Sequence, residues 1–76
     1  MTPYRNLNVN SDIVSYEIAE NSIHLVFRSG KHRNVLYDDF RPGKAKVEKM
    51  KALARQGYGL HSYIADAVRH DFARSW

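Results

Sequence analysis

The 76-residue chain has no cysteine. That removes disulfides from consideration and is in keeping with a reducing compartment. It also lacks any apolar run approaching the roughly 20 residues that a membrane-crossing helix needs. Met1 to Asn10 carries no apolar stretch of the kind found in a secretory leader. These absences predict a cytosolic chain with no membrane partner. Internal repeats, low-complexity tracts and interdomain linkers are absent too, so one domain is expected.

The signatures of catalysis and metal binding are equally missing. No serine sits in a Gly-x-Ser-x-Gly elbow. Asp38 and Asp39 are adjacent, and adjacent side chains of an extended segment point to opposite faces, which makes a poor acid–base pair. Gly57-Tyr58-Gly59 has too few glycines to cradle a phosphate and reads as a helix-breaking junction. The four histidines do not assemble. His61 and His70 fall on opposite sides of one helix at about 100° per residue. His24 lies on the outward face of a strand, and His32 is flanked by Lys31 and Arg33, which repel a cation. No enzyme activity, metal or cofactor is expected.

What is present is a hydrophobic content of 43%, enough for a packed core, although a small one at this length. Met1 to Asn10 is polar apart from Tyr4, Leu7 and Val9 and reads as a flexible lead-in, with the domain running over 11–76. Asp12 to Ile18 alternates, with Val14, Tyr16 and Ile18 on one face and Ser15 and Glu17 on the other. Ile23, Leu25 and Phe27 alternate with His24, Val26 and Arg28, and Val35 and Tyr37 share a face within Asn34 to Asp38. Period-two patterning of this kind predicts three strands, and the short turns at Glu20–Ser22 and Ser29–Gly30 make them antiparallel.

Helical periodicity follows. Val47, Met50, Leu53 and Ala54 form a stripe from Lys44 to Gln56, closed by Gly57. Either Asp38 or Asp39 is placed to cap an early turn before it. Leu60, Tyr63, Ile64, Ala67, Val68 and Phe72 form a second, stronger stripe. Asp71 projects near the centre of that stripe, so either the helix frays there or Asp71 pairs with a cation. The predicted fold is α+β: a three-stranded antiparallel meander with two C-terminal helices packed on one face.

Several of these landmarks resemble the KTSC domain, a family found at the C-terminus of some lysyl-tRNA synthetases and as stand-alone proteins. Ser11 with Ile13, Tyr16 with Glu17, and Ile23, Leu25 and Phe27 leading into Ser29-Gly30 are similar to its first hairpin. Met50, the Gly57-Tyr58-Gly59 junction, Leu60 and Ile64 are similar to its helical half. Two positions depart from the family pattern. Val35 stands where the family has the first tyrosine of a Tyr-x-Tyr pair, with Tyr37 at the second. Ile64 is followed by Ala65, not by arginine, and Val68 replaces a following aromatic. The resemblance implies the fold, and RNA binding is the activity usually conjectured for the family.

Charge placement points the same way. The formal net charge is +4, but residues 27–57 carry most of the basic side chains. Arg28, Lys31 and Arg33 cluster in the second turn. On the first helix, Lys51, Lys44 and Arg55 fall at about 40°, 60° and 80° from Val47, and Glu48, at about 100°, interrupts that ridge. The two groups together predict a two-part clamp for RNA or another polyanion. The open face of the sheet carries Ser15, Glu17, His24, Val26, Arg28 and Leu36 with no aromatic platform, so base stacking is not expected. The alternative is a protein-interaction or homodimerisation domain, using a sheet edge, Val26, Leu36 and Trp76. In that reading the basic loop only keeps the chain soluble.

Overall fold

Alternating apolar positions need a partner layer, and helical stripes supply one. The computed structural model describes residues 1–7 and 11–76. In it the chain forms β1 (Thr2–Pro3), β2 (Ile13–Ala19), β3 (Ser22–Phe27), β4 (Asn34–Asp38), α1 (Lys44–Gln56), α2 (Leu60–Tyr63) and β5 (Arg74–Ser75). A π-helical turn over Ile64–Val68 continues α2. The sheet order is β1-β2-β3-β4-β5, antiparallel throughout. The expected three-stranded meander is therefore the centre of a five-stranded sheet, flanked by two-residue strands.

α1 lies on the face that carries Ile23, Leu25, Val35 and Tyr37, and buries Val47, Met50 and Ala54 against them. Leu60 and Val68 close the core from the second helical segment. The register of β2 differs from strict alternation. A bulge between Ile13 and Ser15 inserts Val14 as an extra residue. Ile13 is thereby fully buried opposite Phe27, and Val14, expected on the core face, is exposed. Beyond the bulge Tyr16 and Ile18 return to the core side, opposite Leu25 and Ile23.

Residues 1–7, expected to precede the domain as a lead-in, are part of its packing; residues 8–10, with Val9, lie outside the described residues. Tyr4 is buried, and its backbone N–H donates to the Val14 carbonyl at the bulge (2.9 Å). Its hydroxyl accepts from the Leu60 N–H (3.4 Å), serving a donor at the start of α2 that has no side-chain cap. Burial raises the Tyr4 pKa, partly offset by this bond. At the C-terminal end of α1, Arg5 Nη2 donates to the carbonyls of Arg55 (2.6 Å) and Gln56 (2.9 Å), and the Leu7 N–H to that of Gly57 (2.8 Å). Three carbonyls left over at a helix C-terminus thus find donors, one of them cationic.

The long second helix does not continue to Phe72. The Arg69 N–H bonds back to Ile64, five residues earlier, and Arg69 itself takes a positive φ of 45°. A continuing helix would bury Asp71. Leaving the helix at Val68 instead brings Asp71 to Arg41, with Nε to Oδ1 at 3.0 Å. Phe72 is still returned edge-on to Tyr37, ring centroids 6.3 Å apart. The chain then pairs with β4 as β5. Between β4 and α1, the Asp38 carboxylate accepts from the N–H groups of Phe40 and Arg41 (both 2.9 Å), so Asp38 holds the turn that the sequence left open between two aspartates.

Candidate nucleic-acid interface

Each of the six predicted cations has a definite place. The Phe27 N–H to Arg33 carbonyl bond (2.7 Å) closes the β3–β4 loop, which displays Arg28, Lys31 and Arg33 to solvent. Among the described residues, no carboxylate lies within ion-pair distance of these three.

The helical group is different. Lys51 is 5% exposed. Its ammonium donates to the Glu20 carbonyl (2.9 Å) and pairs with Glu48 Oε2 (2.9 Å). The lysine therefore ties α1 to the β2–β3 turn and is not presented to a ligand. Its hydrogen bond holds the Glu48 carboxyl below its ordinary range, helped by the nearby charges of Lys51, Lys44 and Arg55. The ridge Lys44, Lys51 and Arg55 is thus centred on a carboxylate. The Lys51 ammonium also sits at the end of β3 opposite the basic loop, and the six residues of β3 separate the ends by roughly 17 Å. Lys51 drops out of the predicted clamp: the loop cations do not converge on it because a hairpin's two turns lie at opposite ends of its strands.

What joins the loop cations is a group that sequence reading missed. Trp76 pairs with Asn34 through both backbone bonds (3.1 and 2.9 Å), one residue beyond the loop base. That register puts its side chain on the helix-free face, where the indole stacks on His24 at 5.0 Å between centroids and 29° between planes. Asn34 fixes both partners: its Oδ1 lies 3.0 Å from His24 Nε2, and its Nδ2 donates to the Trp76 carbonyl (3.1 Å). The Arg74 guanidinium lies 5.0 Å from the indole centroid, within cation–π range. The expectation of an open face without an aromatic platform is corrected here. The only trace in the sequence was Arg74-Ser75-Trp76, an alternation too short to read as a strand.

The arrangement can do three things chemically. It presents a half-exposed aromatic stack, a guanidinium over the indole ring, and a loop of cations without ion-pair partners among the described residues at the same end of the sheet. Among the described residues, no three histidine or carboxylate side chains come together as a metal site, and no helix is long and apolar enough to cross a membrane. Comparisons with protein-family models, curated proteins and solved structures find no match to this chain.

Proposed function

We propose that the chain is a non-catalytic, KTSC-like module that binds single-stranded RNA across the open face of its sheet. One observation carries this reading: the Trp76–His24 stack stands on the helix-free face beside the exposed Arg28, Lys31 and Arg33 loop. Aromatic side chains stack on bases of any identity while nearby cations hold the backbone, so binding is sequence-tolerant and salt-sensitive. Arg74 adds a planar cation over the indole ring. The first-helix ridge contributes only Lys44 and Arg55 at most, as general positive charge, because Lys51 is engaged inside the fold.

Pairing with a partner through a sheet edge is less well supported. Both edges are two-residue strands, which offer few free backbone groups for strand addition.

The test uses the single tryptophan as reporter. A short unstructured RNA should quench its fluorescence saturably at low salt. With three phosphates neutralised, the slope of log affinity against log salt should be about −2. Polyphosphate, which lacks bases, should bind without comparable quenching. Absence of association at low salt ends the proposal.

A further inference from the structure

On the opposite, helix-bearing side of the sheet, a cavity of about 400 Å³ opens between the β3–β4 loop and the π-helical turn. Its floor is apolar: Val35 and Tyr37 from the sheet, Ile64 from the π turn, and Phe72 from the segment returning to β5. Its rim is made of exposed side chains of one kind, Lys31 and His32 from the loop and Arg69 and His70 from the end of the π turn. No carboxylate lines it. We propose that this cavity is a binding site for a small organic anion: a single-ring or branched apolar body with one carboxylate or phosphate head.

The chemistry of the site argues for that class. The site is an open cleft whose volume falls in the range of small-ligand sites, and apolar walls with a few convergent polar groups are what such sites have. An apolar body displaces water from Val35, Ile64 and Phe72, while its head group meets the Lys31 ammonium and the Arg69 guanidinium. A cation is repelled by the same rim. Tyr37 adds no opposing charge, since burial pushes its phenol up to about 12 and keeps it neutral.

The backbone at the rim is also unusual. A π turn is rare and concentrates at functional sites. Arg69 holds a positive φ (45°, with ψ −114°) outside the left-handed helical region, a conformation that a residue with a side chain seldom adopts. That conformation, with Nε donating to the Ala65 carbonyl (3.1 Å), fixes the guanidinium at the cavity. The inference shares only Lys31 with the RNA reading; Arg69, Ile64 and Phe72 take no part in that reading, and Trp76 and His24 lie on the other face of the sheet.

The experiment is a two-dimensional NMR titration of the whole chain with 3-phenylpropionate, phenyl phosphate and the neutral 3-phenylpropionamide. Saturable shifts at Tyr37, Ile64, Arg69 and Phe72 are expected with at least one of the two anions, and the amide should bind at least tenfold more weakly. Whichever anion binds more tightly identifies the head group. Arg69→Gly, which removes the charge and accepts φ 45° with ψ −114° without strain, should weaken the anion by about tenfold or more with its spectrum otherwise retained. Trp76→Ala should leave the affinity unchanged. Equal binding of the amide, shifts confined to other surfaces, or no saturation by either anion overturns the proposal.

Discussion

The Trp76 indole lies against the His24 imidazole, 52 positions away in the sequence, and the two residues are held together by one side chain, Asn34, that bonds to both. Because this stack stands on the exterior, its removal separates binding from folding. Trp76→Ala should cost about 1–3 kcal/mol of single-stranded RNA affinity, the worth of one base stacked on an aromatic ring. It should barely move the urea midpoint. Trp76→Phe should recover most of the affinity. An RNA titration followed by anisotropy checks both; equal affinity in all three proteins removes the stack from the interface.

The loop cations predict a different signature. Arg33→Gln should weaken every sequence alike and flatten the salt slope by about 0.7, one phosphate contact on a single strand. Repeating the anisotropy titration at two or three salt concentrations reads this directly. A change in sequence preference with an unaltered slope contradicts a purely electrostatic role for Arg33.

Lys51 tests the corrected part of the site. Its ammonium bonds the Glu20 carbonyl and the Glu48 carboxylate within the fold, so Lys51→Met should lower stability by about 1 kcal/mol, the scale of one lost hydrogen bond. RNA affinity should be unchanged within error. Glu48 gives the linked pH effect. Its folded-state pKa is lowered from the ordinary carboxylate value, chiefly by the Lys51 hydrogen bond, so the contribution it makes is full above the ordinary carboxylate range. It is lost as pH falls through the depressed value. Urea midpoints measured downward from pH 6 should show that loss in the native chain and a shallower decline in Glu48→Gln.

The division between what the sequence disclosed and what it hid has a physical cause. Ile23, Leu25, Val35, Tyr37, Val47 and Met50 declared themselves by period, because strands and helices that bury one face must repeat it. Val14 misled because a one-residue bulge inverts alternation without changing composition. Thr2–Pro3 and Arg74–Ser75 are too short for any period, and they become strands only because an edge already exists for them to join. Of the candidate site, the Arg28, Lys31 and Arg33 cluster was visible as local charge. The Trp76–His24 stack was not, since it depends on a register between segments far apart in the chain. Lys51 looked like part of a basic ridge because helical angle reports direction, not the carbonyl waiting there.

Tyr37 carries an alkaline dependence. Its phenol is pushed up to about 12 from 10.0 by burial, so the folded chain holds the proton that the unfolded chain releases first. The sign follows: stability is unaffected below pH 10 and falls as pH rises from there towards 12. Two units correspond to about 2.7 kcal/mol, an upper figure for the loss. Urea midpoints between pH 9 and 11.5 should fall more steeply in the native chain than in Tyr37→Phe. Parallel slopes in the two proteins assign the alkaline loss to other groups.

Gly57 joins the helix to the segment between β1 and β2, and its substitution separates two kinds of strain. It ends α1 with φ 88°, and a Cβ added there would meet Arg5 Nε at 3.0 Å, Arg5 Cβ at 3.1 Å and Leu7 Cδ1 at 3.4 Å. Left-handed backbone alone costs a non-glycine residue about 1 kcal/mol. Displacing Arg5 adds to this, because Arg5 supplies donors to the Arg55 and Gln56 carbonyls. Gly57→Ala should therefore lose about 2–3 kcal/mol in urea unfolding, a sum of backbone strain and one or two weakened hydrogen bonds. A double-mutant cycle with Arg5→Gly divides the sum: that background removes both Arg5 contacts and leaves only Leu7 Cδ1 at 3.4 Å, an ordinary approach, so Gly57→Ala should cost little beyond the backbone share. If Gly57→Ala costs the same in both backgrounds, the contact with Arg5 contributes nothing and the glycine is required by its φ alone.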